Sequence, residues 1–385
     1  MLEKKITKET SIRLVIISNQ AFSLKNFRGP LIREMVARGC IVYALAPDYD
    51  ASSRSDVEAL GATPVNYSMS RAGMNPLRDL LDVGKLAFLL RSLKPDISFA
   101  YFIKPVIYGT LAARLAGVGK RYAMIEGAGY VFIESKASNW RRTLLRKFAT
   151  GLYRLGLGCA DRVFMLNNDD KQLFVDEKMV SAEKVQLING IGLNLSHFNM
   201  TAPVVAPFTF ILVARLLREK GIFEYVQAAR VVKASHPEAR FVLLGSIDLN
   251  PGSVSESTVK EWTQEGVIEW PGQVDDVRAW IAQASVFVLP SYREGLPRST
   301  QEAMAMGRAI ITTDVPGCRE TVIDGVNGLM VPARDAAALA QAMLKLIAQP
   351  QLLASMGRQS RLLAEQNFDV NKINDVILDV MEIGR

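Results

Sequence analysis

Glu294 and Glu302 stand eight residues apart in the run Tyr292-Arg293-Glu294-Gly295-Leu296-Pro297-Arg298-Ser299-Thr300-Gln301-Glu302. The apolar stretch Val286 to Pro290 precedes them and reads as a buried strand, which puts Glu294 in the turn that follows. Glu302 is expected two turns into the next helix, ~12 Å along its axis. That separation suits two carboxylates with two tasks on one long ligand, one at a sugar and the other at the ribose of a nucleotide. The helix start between them, from Gly295 and Leu296 through Pro297, Arg298 and Ser299, offers unpaired backbone N–H groups and the positive end of a helix dipole to a diphosphate. A turn acid and an unrelated helix acid would show the same spacing. The strand, Glu-Gly turn, helix start and second Glu in succession are what favour the first reading.

With its Glu294-Gly295-Leu296-Pro297-Arg298 stretch and a later Gly317-Cys318-Arg319-Glu320, the chain resembles the retaining family 4 glycosyltransferases of GT-B fold, in the branch that builds bacterial lipid-linked and surface polysaccharides. The resemblance is strongest from Phe208 to Pro332. It implies a metal-independent transferase without a cofactor, Glu294 as the residue at the donor sugar, and Glu302 as the residue at the ribose.

Two cations come next. Arg215 and Lys220 lie in Val213-Ala214-Arg215-Leu216-Leu217-Arg218-Glu219-Lys220-Gly221, where a strand gives way to a helix. Cations at the carboxyl end of a strand in an open α/β sheet sit where ligands bind, and they can neutralise a departing diphosphate. A solvated basic loop is the other reading. The family carries an Arg and a Lys at this spacing, which selects Arg215 and Lys220 and leaves Arg218 out.

The first half offers Arg28-Gly29, on the expected first strand–helix loop, and Glu126 in Glu126-Gly127-Ala128-Gly129-Tyr130. Gly29 lets backbone approach a ligand closely. Arg28 is a candidate contact for the donor diphosphate or the acceptor, and a simple turn before Pro30 is an equal alternative. Many family members have a His-Gly where this chain has Glu126-Gly127. Glu126 is therefore a departure from the pattern, able to accept from a sugar hydroxyl or to act as a base.

Histidine chemistry is nearly excluded, because His197 and His236 are the only two and both read as surface residues. Asp48-Tyr49-Asp50 has the D-x-D look of metal-dependent transferases of the other major fold, but an Asp-rich turn after a strand is the simpler reading. Gly156-x-Gly158 lacks the third glycine of a dinucleotide fingerprint. Cys40, Cys159 and Cys318 are far apart, which argues for a reducing compartment and against structural zinc.

The elements that must hold these residues follow from the apolar pattern. In residues 1–200, short apolar strands (12–18, 40–46, 63–67, 96–102, 121–125, 162–166 and 185–188) alternate with helices that include 30–38, 76–93, 105–116 and a long one from about Asn139. A polar segment with two prolines, 199–207, reads as a linker. Strands at 208–214, 240–244, 267–270, 286–290, 309–313 and 328–331 then repeat the alternation. The economical architecture is two doubly wound, Rossmann-like domains, residues 1–200 and 207–368, facing a cleft. The resemblance assigns the acceptor to the first and the nucleotide-sugar to the second, and a terminal helix within 369–385 crosses back to the first. The chain's 385 residues and 49% apolar content are ample for two cores.

Charge is unevenly divided. Residues 1–200 carry 28 Lys and Arg against 18 Asp and Glu, and residues 201–385 carry 18 against 21. A basic first half implies an anionic partner. The long helix places Trp140, Leu144, Phe148, Leu152 and Leu155 on one face, with Arg142, Arg146, Lys147 and Arg154 on the other. Such a helix can lie on an anionic bilayer, or it can be an ordinary core-facing helix. No signal peptide is expected, nor any run of the ~18–20 apolar residues that a spanning helix needs.

The expected activity is transfer from a nucleotide-sugar, with UDP-sugar first, to a polyprenyl-diphosphate-linked sugar. It would take place in the cytoplasm, at the inner face of the membrane and without nucleic acid. A soluble acceptor, or a nucleotide-sugar epimerase or hydrolase of the same fold, are the alternatives.

Overall fold

The computed structural model describes residues 11–69, 76–132, 140–248, 250 and 252–384. The helix start expected at Asn139 and the side chain of Arg142 lie outside them. The chain divides into two units: residues 1–165, 171–191 and 374–385 form one, and residues 166–170 and 192–373 form the other.

In the first unit the strands are β1 (Arg13–Ile17), β2 (Ile41–Ala46), β3 (Thr63–Asn66), β4 (Ile97–Tyr101), β5 (Lys120–Ile125), β6 (Arg162–Met165) and β7 (Val185–Leu187). The helices are α1 (Ala21–Asn26), α2 (Gly29–Ala37), α3 (Ala51–Glu58), α4 (Pro76–Leu93), α5 (Thr110–Ala116), α6 (Trp140–Gly158) and α7 (Asn168–Asp176), whose first residues group with the second unit. All seven strands run parallel in the order β3-β2-β1-β4-β5-β6-β7, so the order reverses between β1 and β4. β1 and β4 are almost wholly apolar and buried, as strands covered on both faces must be. Two local differences from the sequence reading appear. The first loop contains a short extra helix, α1, and the helix expected over 105–116 opens as a π-helical turn, Pro105–Gly109, before α5.

The second unit contains β8 (Thr209–Val213), β9 (Arg240–Leu244), β10 (Glu269–Gly272), β11 (Val286–Leu289), β12 (Ala309–Thr313) and β13 (Gly328–Val331). Its helices are α8 (Ile222–Ser235), α9 (Glu256–Gln264), α10 (Arg278–Ala282), α11 (Arg298–Ala305), α12 (Ala336–Ala348) and α13 (Gln351–Asn367), followed by α14 (Val370–Val380). Its parallel order is β10-β9-β8-β11-β12-β13, with β8 beside β11. β10 begins two residues later than the apolar run at 267–270 suggests, because Val267 and Ile268 join the core before the ladder starts.

The segment read as a linker is fastened to the second unit. Arg308, fully buried, donates to the carbonyls of Thr201 (2.7 Å) and Ile281 (2.8 Å). Burial pulls its pKa down to about 10. Carbonyl dipoles rather than a carboxylate therefore satisfy this guanidinium, and the unit begins at Gly192 rather than at 207. The end of the chain returns to the first unit from Asn374 onward. There Arg38 donates to Asp375 (2.6 Å) and to the Ile383 carbonyl (2.9 Å), and Lys120 pairs with Glu382 at 2.7 Å.

Candidate active site

The order reversal in the second sheet explains how residues more than 70 positions apart meet. β8 and β11 are neighbours, so the loops leaving their carboxyl ends emerge side by side at the switch point, where open α/β sheets bind ligands. The loop after β8 carries Arg215, Arg218 and Lys220, and the loop after β11 carries Ser291 to Pro297. Gly221 closes the first loop in a left-handed conformation (φ 72°), and a Cβ on it would lie 2.1 Å from the Pro290 carbonyl oxygen. Only glycine allows the two loops this approach.

Lys220 Nζ donates to Glu294 Oε1 at 2.5 Å, and Ser291 Oγ donates to the same oxygen at 2.6 Å. The carboxylate is therefore aimed by a cation and a hydroxyl that meet at one of its oxygens. Arg215 stands apart from this contact. Its guanidinium is more than half exposed and pairs with Asp248 at 2.8 Å. Arg218 leans on the ring of Phe223, 4.5 Å from its centroid.

The helix start is nearer to Glu302 than the spacing suggests. Pro297 is the N-cap of α11 and provides no side-chain cap, and the first intrahelical bond runs from Gln301 N to the Pro297 carbonyl. The N–H groups of Ser299 and Thr300 precede that bond in the first turn of the helix. Glu302 lies little more than one turn in, not two. It accepts from Arg298 Nε at 2.9 Å, and burial raises its pKa above the ordinary glutamate value. Arg298 is thus the partner of Glu302 on the helix surface, in addition to any ligand contact.

Residues not singled out in the sequence hold the Glu294 turn. Asn167 donates to the Gly295 carbonyl at 2.6 Å, and Asp170, buried, is ion-paired with Arg293. Burial raises the Asp170 pKa, against the pull of Arg293. The polar run Asn167-Asn168-Asp169-Asp170 after an apolar strand was the available signal, but no local pattern reveals a partner more than 120 positions away. Gly317, at φ 78°, completes the support: a Cβ there would fall 2.4 Å from the Glu294 carbonyl oxygen and 2.6 Å from that of Gly295. Gly317→Ala is expected to displace this turn and to lower turnover by ~10²-fold while the protein stays folded. Steady-state rates with a thermal melt check it, and a rate near wild type would show that the turn's position is not critical.

The first unit holds a separate cluster. Arg28, fully buried, is ion-paired with Glu126 and lies over the ring of Tyr101, 4.3 Å from its centroid. The two residues expected to act on substrates individually are one ion pair here, and a carboxylate occupies Arg28 where a phosphate was expected. Gly29 is the first residue of α2 rather than a loop glycine, and a Cβ on it would meet only Leu60 at ordinary contact distance. Asp48 accepts from Ala21 N at 2.7 Å, and Asp50 caps α3 by accepting from Ser53 N at 2.7 Å. The D-x-D run therefore serves two helix starts, Asp48 at the first N–H of α1 and Asp50 as the N-cap of α3, as the turn reading requires.

Comparison with known proteins fits this geometry. Residues 207–349 match the family described as Glycosyl transferases group 1, and the Glu294 and Lys220 loops fall within that segment. The chain is 28% identical over 378 residues to the N,N'-diacetylbacillosaminyl-diphospho-undecaprenol alpha-1,3-N-acetylgalactosaminyltransferase of Campylobacter jejuni, covering 93% of this chain and 96% of that one. It is 24% identical to the UDP-Gal:alpha-D-GlcNAc-diphosphoundecaprenol alpha-1,3-galactosyltransferase of Escherichia coli, over 79% and 81% of the two chains. Among solved structures it resembles a sucrose-phosphate synthase from Thermosynechococcus elongatus (TM-score 0.79, 18% identity, 97% and 98% covered). It also resembles Anabaena HepE in complex with UDP and glucose (TM-score 0.76, 18% identity, 97% and 100% covered). The chain is a glycosyltransferase of GT-B fold, with a glycosyl transferases group 1 domain over residues 207–349 of its second unit.

Proposed function

We propose that the protein transfers a sugar from a UDP-sugar to a polyprenyl-diphosphate-linked sugar, with retention at the anomeric carbon and without a metal. The observation that carries this reading is the Lys220–Glu294 contact beside the uncapped start of α11. It brings one carboxylate, one cation and the first turn of a helix together at the carboxyl ends of β8 and β11, a combination suited to a sugar diphosphate. Glu302 holds the ribose hydroxyls, Glu294 the donor sugar, and Arg215 with Lys220 the diphosphate. As the bond from the anomeric carbon to the phosphate oxygen breaks, the acceptor hydroxyl oxygen attacks on the same face. Its proton passes to the departing phosphate oxygen. That assignment needs no histidine, and Lys220, Arg215 and the helix start carry the growing charge in place of a metal. Retention is supported by the alpha-1,3 linkages in the names of both bacterial relatives. The acceptor class is supported by the undecaprenol-diphosphate substrates that both relatives are named for, and UDP by the name of the E. coli enzyme and the HepE complex. The first unit is the acceptor side, where the Arg28–Glu126 pair stands in place of the family histidine.

A lipid-linked acceptor brings the enzyme to the inner face of the membrane. No helix among the described residues is long and apolar enough to cross it. An anionic bilayer is therefore a surface partner, met through α6.

The test is nucleotide release from a panel of UDP-sugars, with and without a polyprenyl-diphosphate-linked sugar and with and without a chelator. Release that depends on the acceptor and survives chelation is expected. Release independent of any acceptor would favour the hydrolase reading, and a need for Mg²⁺ or Mn²⁺ would overturn the metal-free one.

A further inference from the structure

The stripe expected on α6 is not turned into the core. Trp140 is 70% and Leu144 60% exposed, with Phe148 and Leu155 beside them, and of the expected face only Leu152 packs partly inward. α6 instead buries Tyr153, Leu157 and Gly156. Lys147 and Arg154 lie on the outward side with Trp140, while Arg146 pairs with Glu177 at 2.7 Å.

The same feature recurs on α4, where nothing in the sequence pointed to it. Leu80, Leu81 and Phe88 are 66, 67 and 75% exposed. The two helices cover one face of the sheet. Ile17, Ala100, Ala123 and Val163 are in register across β1, β4, β5 and β6, so their side chains share a face. Ile17 and Ala100 pack with α4 and α5, and Ala123 and Val163 pack with α6. α5 lies between the other two helices, and its Leu115 is half exposed.

Among the described side chains, the charges that these three helices themselves bring to the surface have a single sign. α4 carries Arg78, Lys85 and Arg91, α5 carries Arg114, and α6 carries Arg141, Arg146, Lys147 and Arg154. The only acids on the three helices are Asp79 and Asp82, and both are buried. Elsewhere in the unit, Glu34 on α2 and Glu58 on α3 do reach solvent.

We infer that the whole α4–α5–α6 layer, and not α6 alone, is a docking face for an anionic lipid surface. The inference rests on the membrane reading of α6 and extends it to a second helix. Large apolar side chains mixed with cations, on helices whose own acids are all buried and with Glu177 the acid that meets Arg146 from α7's end, match a bilayer interface, where each cation near the surface adds to binding and the apolar residues add a part that salt does not screen. A second copy of the chain fits poorly. A two-fold contact would set this face against itself, cation against cation, with no acid on the helices to pair them.

The experiment is flotation of the full chain with vesicles of phosphatidylcholine alone or mixed with phosphatidylglycerol. It compares wild type, the α4 pair Leu81→Ser with Phe88→Ser, and the α6 pair Trp140→Ser with Phe148→Ser. All four side chains are at least two-fifths exposed, so the melting temperature should hold. Each pair is expected to weaken binding to anionic vesicles at least ~5-fold. Turnover of a short, water-soluble acceptor should not change. Loss in the α6 pair with none in the α4 pair would overturn the layer and leave the α6 reading standing. A wild type that ignores anionic vesicles at low salt would overturn both, while turnover still tests the transferase reading separately. A dimer in sedimentation that the α4 pair dissolves, without vesicle binding, would also overturn the proposal.

Discussion

Lys220→Ala is expected to lower the transfer rate by ~10²–10³-fold, the range found when one preorganised donor to a developing anion is removed. Two effects add. In the proposed site the variant removes a cation that meets the diphosphate, and it leaves Glu294 Oε1 with Ser291 as its hydrogen-bond donor. Arg215→Ala should lower the rate as well, but it should not disturb Glu294, because Arg215 pairs with Asp248 and is largely exposed. An exposed pair of that kind contributes little to stability, so Arg215 can leave it for a ligand. Arg218→Ala, which removes only a cation stacked on Phe223, should cost less than ~3-fold, within the range of an exposed cation–π contact. Steady-state rates for the three variants check this order. Equal losses for Lys220 and Arg218 would mean that the loop matters for its shape and not for where its charges point. A Lys220→Arg variant that fails to restore the rate would point to the compact ammonium next to Glu294, and not to charge alone.

The alternation of apolar strands and helices was enough to place both parallel sheets, because a strand covered on both faces must be apolar throughout. It also brought Lys220 and Glu294 to strand ends. What it could not show was that β8 and β11 are neighbours, which is a property of strand order, and the Lys220–Glu294 contact depends on it. The Arg28–Glu126 pair escaped for a related reason: both residues are legible as chemistry, and burial decided that they neutralise each other. Glu302 is shallower in its helix than the spacing suggests because the N-cap is Pro297, three residues past Glu294, and the residues between belong to the turn. On α6 the periodicity correctly separated an apolar stripe. Which side of the stripe faces the sheet is settled by Gly156 and Tyr153, small and large residues packed on the inner face, and not by hydrophobicity. The exposed residues of α4 could not be read at all, since an apolar helix position looks the same in sequence whether it is covered or not.

The ribose assignment makes the second large prediction. Charge-assisted hydrogen bonds from a carboxylate to two ribose hydroxyls are each worth roughly 1.5–3 kcal/mol. Glu302→Ala should therefore weaken UDP binding by at least ~10-fold. The structure adds a competing explanation, because Glu302 also partners Arg298 and its loss could loosen the helix start. Two observations separate them. Arg298→Ala should leave UDP affinity much closer to wild type if the carboxylate itself meets the ribose. The pH dependence gives the other. Burial disfavours the charged form of Glu302 and raises its pKa above the usual value, so the carboxylate is lost on acidification earlier than an exposed glutamate would be. The acidic form accepts fewer hydrogen bonds. UDP affinity should thus fall as the pH drops through that raised pKa and be complete above it. In Glu302→Gln this limb should be absent, and the ratio of the two affinities cancels the titration of the phosphate groups. Isothermal titration across the acidic range measures it. A constant ratio, or an unchanged affinity in Glu302→Ala, would assign Glu302 to the helix surface with Arg298 and leave the ribose to another residue.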